Sequence, residues 1–319
     1  MQQPTNINER SKEFTMNAVD SEKTPARKKS AGFIKRNISG WVLVLPTFLF
    51  FVFLVWRPII IGIMYSFFDL RGFEPVAFVG LENYRQVLSD SNFLSTLKNT
   101  VEYVIWSLII GLPLPFVAAV MLNEALHGKQ YFKISLYLPC VLPGMAAYLL
   151  WSMIYGENQA GLINSVLRLF GTEPMQFLSN KTLVIPLIIV MMSWKNFGGT
   201  IIMYLATLQG ADQSLYEAAR LDGAGFWQRI KAVTWPHCRG ILLLLAVKQI
   251  IGIFGITEQP LVMTGGGPNG ASLSLGLTNY YYAFKYGAMQ KSLALGVITF
   301  VILAGLTVVY FKLDKKINE

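Results

Sequence analysis

Six apolar blocks, each long enough to cross a bilayer, constrain this chain more than anything else: residues 41–68, 101–122, 134–155, 183–206, 241–263 and 292–313. About 20 residues of helix span the hydrocarbon core, and only helices or closed barrels pair every backbone group there. Barrel strands are about half that length and alternate in polarity, so the blocks read as six transmembrane helices of an all-α, polytopic membrane protein. Hydrophobic residues are 53% and charged residues 14% of the 319, far from the balance of a soluble domain. The first block exceeds the usual length and contains Arg57-Pro58, so a tilted or bent helix is expected there.

Loop charge orients the bundle. With both termini in the cytosol, 17 of the 27 Lys and Arg residues fall in inner segments and 7 in outer ones. This positive-inside bias places a polar stretch, residues 214–236, in the cytosol. The net charge of +9 is then explained by topology and anionic-lipid contact, and no nucleic-acid partner is expected. Residues 1–36 are basic and aperiodic and show no cleavable-signal pattern. They read as a disordered cytosolic tail before a membrane domain at 37–319.

Chemistry is scarce. His127 and His237 sit at helix ends, where solvated or interfacial roles are usual, and Cys140 and Cys238 suggest neither a disulfide nor a metal site. Gly265 to Ser272 resembles a phosphate loop, but Ala271 stands where the lysine is needed and the stretch lies on the outer side. No catalytic residue and no resident cofactor are expected, so any energy must be supplied by a partner. Within 214–236, Ser214 and Glu217 have the spacing of a capping box, Leu215 to Leu221 suit a helix, and Gly223 and Gly225 can stop it. A second amphipathic piece, 226–233, precedes Pro236.

Glu217-Ala218-Ala219, Asp222-Gly223-Ala224, Ile230, Val233 and Pro236 together resemble the EAA loop of bacterial ABC importer permeases. Further segments, among them Val79 to Tyr84, Asn99-Thr100, Leu138-Pro139, Gly161 to Asn164, Trp194-Lys195-Asn196 and Thr264 to Pro268, resemble the carbohydrate-uptake, maltose/glycerol-phosphate group. The likeness spans about residues 37–315. The chain departs from the pattern at Ala211-Asp212, where Ile-Pro is usual, and at Val233-Thr234-Trp235-Pro236, which replaces Ile-x-Leu-Pro.

The resemblance implies a type I ABC importer permease subunit in the bacterial inner membrane. Its implied partners are a second homologous permease, two cytosolic ATPases that hold ATP and Mg, and an extracytoplasmic binding protein that delivers a saccharide. The ATPase-coupling loop would be 207–240, with Tyr216, Glu217, Ala218, Ala219, Asp222, Gly223 and Ala224 at the contact. Arg57, Lys195 and Lys248 are costly inside spans, so each lines a polar cavity, snorkels or pairs within the bundle. Lys195 and Asn196 match a family pattern in the fourth span. Gly252, Phe254, Gly255, Thr257 and Glu258 fall where the maltose-type family lines its sugar site, and helix-packing glycines are the competing account. Three such cations suggest a modest preference for an acidic saccharide that compensates them in passing, with chloride, lipid phosphate or snorkelling as the other means of compensation. Another cargo, such as a glycerol-phosphate ester, and a non-transporting receptor or scaffold stand as alternatives.

Overall fold

A computed structural model describes residues 38–124, 128–158 and 161–318. The basic tail and His127 lie outside the described residues. The described residues fall into two compact units that divide between Ile60 and Ile61. Helix α1 (Gly40–Tyr65) is apolar apart from Thr47 and Arg57. The irregularity expected at Arg57-Pro58 takes the form of a π turn over Val52–Trp56, where the Arg57 N–H reaches back to Val52 O. Pro58 has no N–H, and its ring would press on the carbonyl four residues earlier, so the turn widens.

Helix α1 ends before the expected residue 68 because the chain enters a hairpin. Strands β1 (Phe68–Arg71) and β2 (Glu74–Phe78) pair antiparallel. Short α2 (Glu82–Leu88) follows. Helices α3 (Phe93–Gly111) and α4 (Pro113–Glu124) make one 32-residue apolar span. It starts earlier than the expected residue 101 because its first turns stand outside the apolar block.

The third block is not one straight helix. Helices α5 (Lys129–Val141) and α6 (Gly144–Ile154) meet at 97°. Leu142 is extended with ψ of 137° because Pro143 follows it. Amphipathic α7 (Leu162–Leu169) leads to α8 (Val184–Gln209), the central helix, which packs on α3, α4 and α5. Next come α9 (Gln213–Leu221) and α10 (Phe226–Phe254). The amphipathic piece at 226–233 is therefore not separate but forms the base of α10. A π turn over Ile230–Thr234 precedes Pro236, just as one precedes Pro58. The fifth block breaks after Phe254, and α11 (Glu258–Thr264), α12 (Leu275–Tyr280) and α13 (Met289–Asn318) complete the chain.

Side-chain amides hold the irregular segments opposite α9. Buried Asn83 donates to Ser66 O and Phe68 O, each at 2.9 Å. Asn99 donates to Gly270 O at 2.8 Å and Leu273 O at 3.1 Å, and Thr100 Oγ1 accepts from the Leu275 N–H at 3.0 Å. Asn164 bridges Gly156 O and Met175 O. Each amide supplies partners that a loop lacks within itself.

Helices α5 and α8 meet at Gly198. A Cβ there would lie 2.5 Å from Tyr137 Cα and 2.7 Å from Leu136 O, both rigid backbone atoms. Small residues permit this approach in membranes. Gly198→Ala is expected to cost about 1–3 kcal/mol by overpacking, read as a lower thermal midpoint in detergent. Gly199→Ala, with nothing within 4 Å of the added atom, should match wild type in the same melt.

Candidate functional site

The loop helix α9 is built from its ends. Asp212, not Ser214, is the N-cap: its side chain accepts from the Ser214 N–H at 2.9 Å. The helix therefore starts two residues before the position the Ser214/Glu217 spacing suggests, and that capping box does not form. At the other end the Gly223 N–H donates to Arg220 O and the Ala224 N–H to Ala219 O. This is a Schellman turn, and it needs the left-handed Gly223, whose φ is +73°.

The same geometry sorts the expected contact residues. Glu217, Ala218 and Asp222 are exposed, and Ala219 and Ala224 are half-buried. Tyr216 is not at the outer surface: it is 7% exposed, and its hydroxyl lies 3.1 Å from Thr234 Oγ1 in α10. It anchors the helix to its own chain. Leu221 is 89% exposed, an apolar side chain left open on a polar loop. His237 is tied down as well, with its Nε2 3.0 Å from Thr207 O at the end of α8.

A cavity of about 640 Å³ lies where the fifth span breaks. Asn196, Gly199 and Thr200 of α8 and Lys248, Gln249 and Gly252 of α10 line it, with Gly255, Thr257, Glu258 and Gln259 from the break and α11. Residues 255–257 are not helical, and their backbone is paired locally: the Gly255 and Ile256 N–H groups donate to Gly252 O and Ile253 O, and the carbonyls of Gly255 and Ile256 accept from Thr257 Oγ1 and Ser274 Oγ.

Two expected lining residues lie elsewhere. Phe254 is 5% exposed and packs with Val87, Leu275, Tyr282 and Leu295, so it offers no stacking face to the cavity. Lys195 Nζ donates to Leu142 O at 3.1 Å and caps the carbonyl left open at the bend between α5 and α6. Arg57 is exposed on α1. Reading residue by residue missed Gln249, Gln259 and Thr200. Their signal is helical spacing: Asn196 with Thr200, and Lys248 and Gln249 with Gly252, each fall on one helix face.

Polar side chains converging on a broken helix within an apolar bundle define a membrane protein that moves a solute. Residues 111–319 match the family described as binding-protein-dependent transport system inner membrane component, and the chain belongs to that family. It is 29% identical over 297 residues to the arabinooligosaccharides transport system permease protein AraP of Bacillus subtilis, covering 91% of this chain and 94% of that one. It is 31% identical over 283 residues to the trehalose/maltose transport system permease protein MalF of Thermococcus litoralis, covering 86% and 93%. The fold superposes with a TM-score of 0.81 on a chain from a bacterial ABC transporter involved in the import of the acidic polysaccharide alginate. That match covers 90% of this chain and 99% of the other at 22% identity. The protein is thus a multi-pass inner-membrane permease with the all-α fold of type I ABC importers.

The Ser214 N–H, followed by the Ser214 hydroxyl, holds the Asp212 carboxyl below its ordinary value. A group with a lowered folded pKa stabilises above its unfolded pKa and loses that effect as pH falls through the folded one. The first turn of α9 should therefore loosen only below about pH 4, seen as faster amide exchange after correction for intrinsic rates. Asp212→Asn should retain the cap and lose the pH dependence, and Asp212→Ala should loosen the turn at every pH.

Proposed function

We propose that this chain is one of two permease subunits of an ATP-driven importer, and that it passes a sugar or oligosaccharide handed over by an extracytoplasmic binding protein. The second permease would be homologous but not identical. ATP and Mg would sit on two cytosolic ATPases, and both termini of this chain would face the cytosol, as the basic loops favour. One observation carries the reading. The cavity at the fifth-span break combines amides, two hydroxyls, one cation and one carboxylate, donors and acceptors suited to sugar hydroxyls. The names of the relatives, which include permeases for arabinooligosaccharides and for trehalose/maltose, support a saccharide cargo.

Charge in the cavity argues for neutral cargo. Lys248 and Glu258 both line the space, so in the described lining one cation is matched by one carboxylate. In the assembled complex, ATP hydrolysis stimulated by purified binding protein, measured across neutral and uronate-containing oligomers, identifies the cargo. Lys248→Met should slow uptake of both cargo types by the same factor. A loss confined to uronate oligomers would instead support an acidic substrate.

The exposed face of α9 suits an ATPase cleft. Glu217 offers charge, Ala218 permits close approach, and Leu221 gives an apolar contact. Gly223→Leu should leave membrane insertion intact and abolish transport, because the left-handed turn costs a branched side chain about 1–2 kcal/mol or more. Glu217→Lys should weaken ATPase co-purification by reversing a contact charge. Full attachment and normal uptake in both variants would sink the coupling role, and with it the cytosolic placement of this loop.

A further inference from the structure

A charged clasp joins the loop to a span that is distant in sequence. Glu124 is the last residue of α4, where a carboxylate opposes the negative end of the helix dipole and needs a compensating cation. Arg229, in the first turn of α10, supplies it: Nη2 lies 3.1 Å from Glu124 Oε2, with the side chains 14% and 24% exposed. The same guanidinium donates through Nη1 to Ala224 O at 3.1 Å. Ala224 is the residue whose N–H closes the Schellman turn of α9. One planar cation therefore holds the exit of α9, the base of α10 and the end of α4 together.

The loop needs such a tie. Its backbone turns at Gly210 before α9 and at Gly223 and Gly225 after it, so a push on α9 could be absorbed by bending there. Tyr216 and Thr234 join α9 to α10, one wall of the cavity. That hydrogen bond does not touch α4, which packs on α8, the other wall. Arg229 and Glu124 add a charged tie to α4 beside the edge-on contact of Phe116 with Trp235 at 6.0 Å.

We propose that the Glu124–Arg229 pair is the strut that carries motion of α9 into the second span, and through it into the α8 wall of the cavity. Arg229 is thus a positioning residue for coupling. The proposal rests on the ATPase-docking reading of α9. Partial burial leaves the pair less screened than one on the surface, and removing either partner leaves the other charge uncompensated.

The test uses the complete complex, with both permeases, the ATPases and the binding protein, reconstituted in proteoliposomes. Glu124→Gln and Arg229→Gln should co-purify with the ATPases at wild-type stoichiometry and keep basal ATP hydrolysis. Sugar taken up per ATP hydrolysed should fall about tenfold in each, or about 1.4 kcal/mol of lost coupling. The double Gln variant should be no worse than Arg229→Gln alone, because that single already loses both the pair and the bond to Ala224 O. Exchanging the charges, Glu124→Arg with Arg229→Glu, should recover part of the loss, the bond to Ala224 O being forfeited. A role in mere stability would not give charge-dependent recovery at unchanged attachment. Wild-type uptake per ATP in the singles, losses that add in the double, or no recovery on exchange would each overturn the strut. Glu217→Lys run in parallel separates the readings: intact ATPase attachment there defeats docking by α9, whereas normal uptake per ATP in Glu124→Gln defeats only the strut.

Discussion

Inside a bilayer no water is available to satisfy a backbone group that a helix has released, and the rest of this structure follows from that constraint. Wherever a helix ends, bends or widens, a partner has to be present. Lys195 fills this role at the 97° bend, where it donates to Leu142 O. Its charge is costly at membrane depth, and the bend is what gives that charge a use. Asn83, Asn99 and Asn164 serve the irregular segments in the same way, each donating to two carbonyls. These residues lie in the segments that look most like family motifs, yet their observed work is to pair backbone.

The prolines follow the same logic. Pro58 and Pro236 each follow a π turn, over Val52–Trp56 and Ile230–Thr234. A widened turn accommodates the ring without ending the helix, so α10 runs unbroken from the loop into the span. Continuity matters for coupling, because a rigid helix moves its far end when its base is moved. The fifth span breaks elsewhere, at 255–257, beside the cavity, and there Thr257 and Ser274 hydroxyls pair the carbonyls of Gly255 and Ile256. Regular structure thus leads from the loop to the cavity, where the polar side chains gather.

The loop shows how little polar chemistry suffices to make a rigid body. Asp212 caps α9, Gly223 closes it, and Tyr216 fastens it to Thr234. The surface left over, with Glu217 and Leu221 outward, suits a partner because every inward group already has an occupant.

Much of this was legible in the residues themselves. Apolar block length, charge bias, and the spacing of Glu217, Asp222 and Gly223 depend on local or bulk physics: bilayer thickness, lipid charge and the left-handed turn only glycine adopts cheaply. Even the cavity glycines Gly252 and Gly255 were in view. Which way a side chain points depends instead on helix rotation and on neighbours remote in sequence. Hence Phe254 and Tyr216 turned inward, Lys195 went to a carbonyl 53 residues away, and Lys248 reached the cavity. Asp212 displaced Ser214 as the cap because two short polar side chains compete for one turn, and only the folded entry of the loop decides between them. The sequence by itself determined that helices must form, roughly where, and that the loop must be polar. Tertiary packing decided which polar residues face a solute and which merely close the backbone, because in hydrocarbon both tasks call for the same side chains.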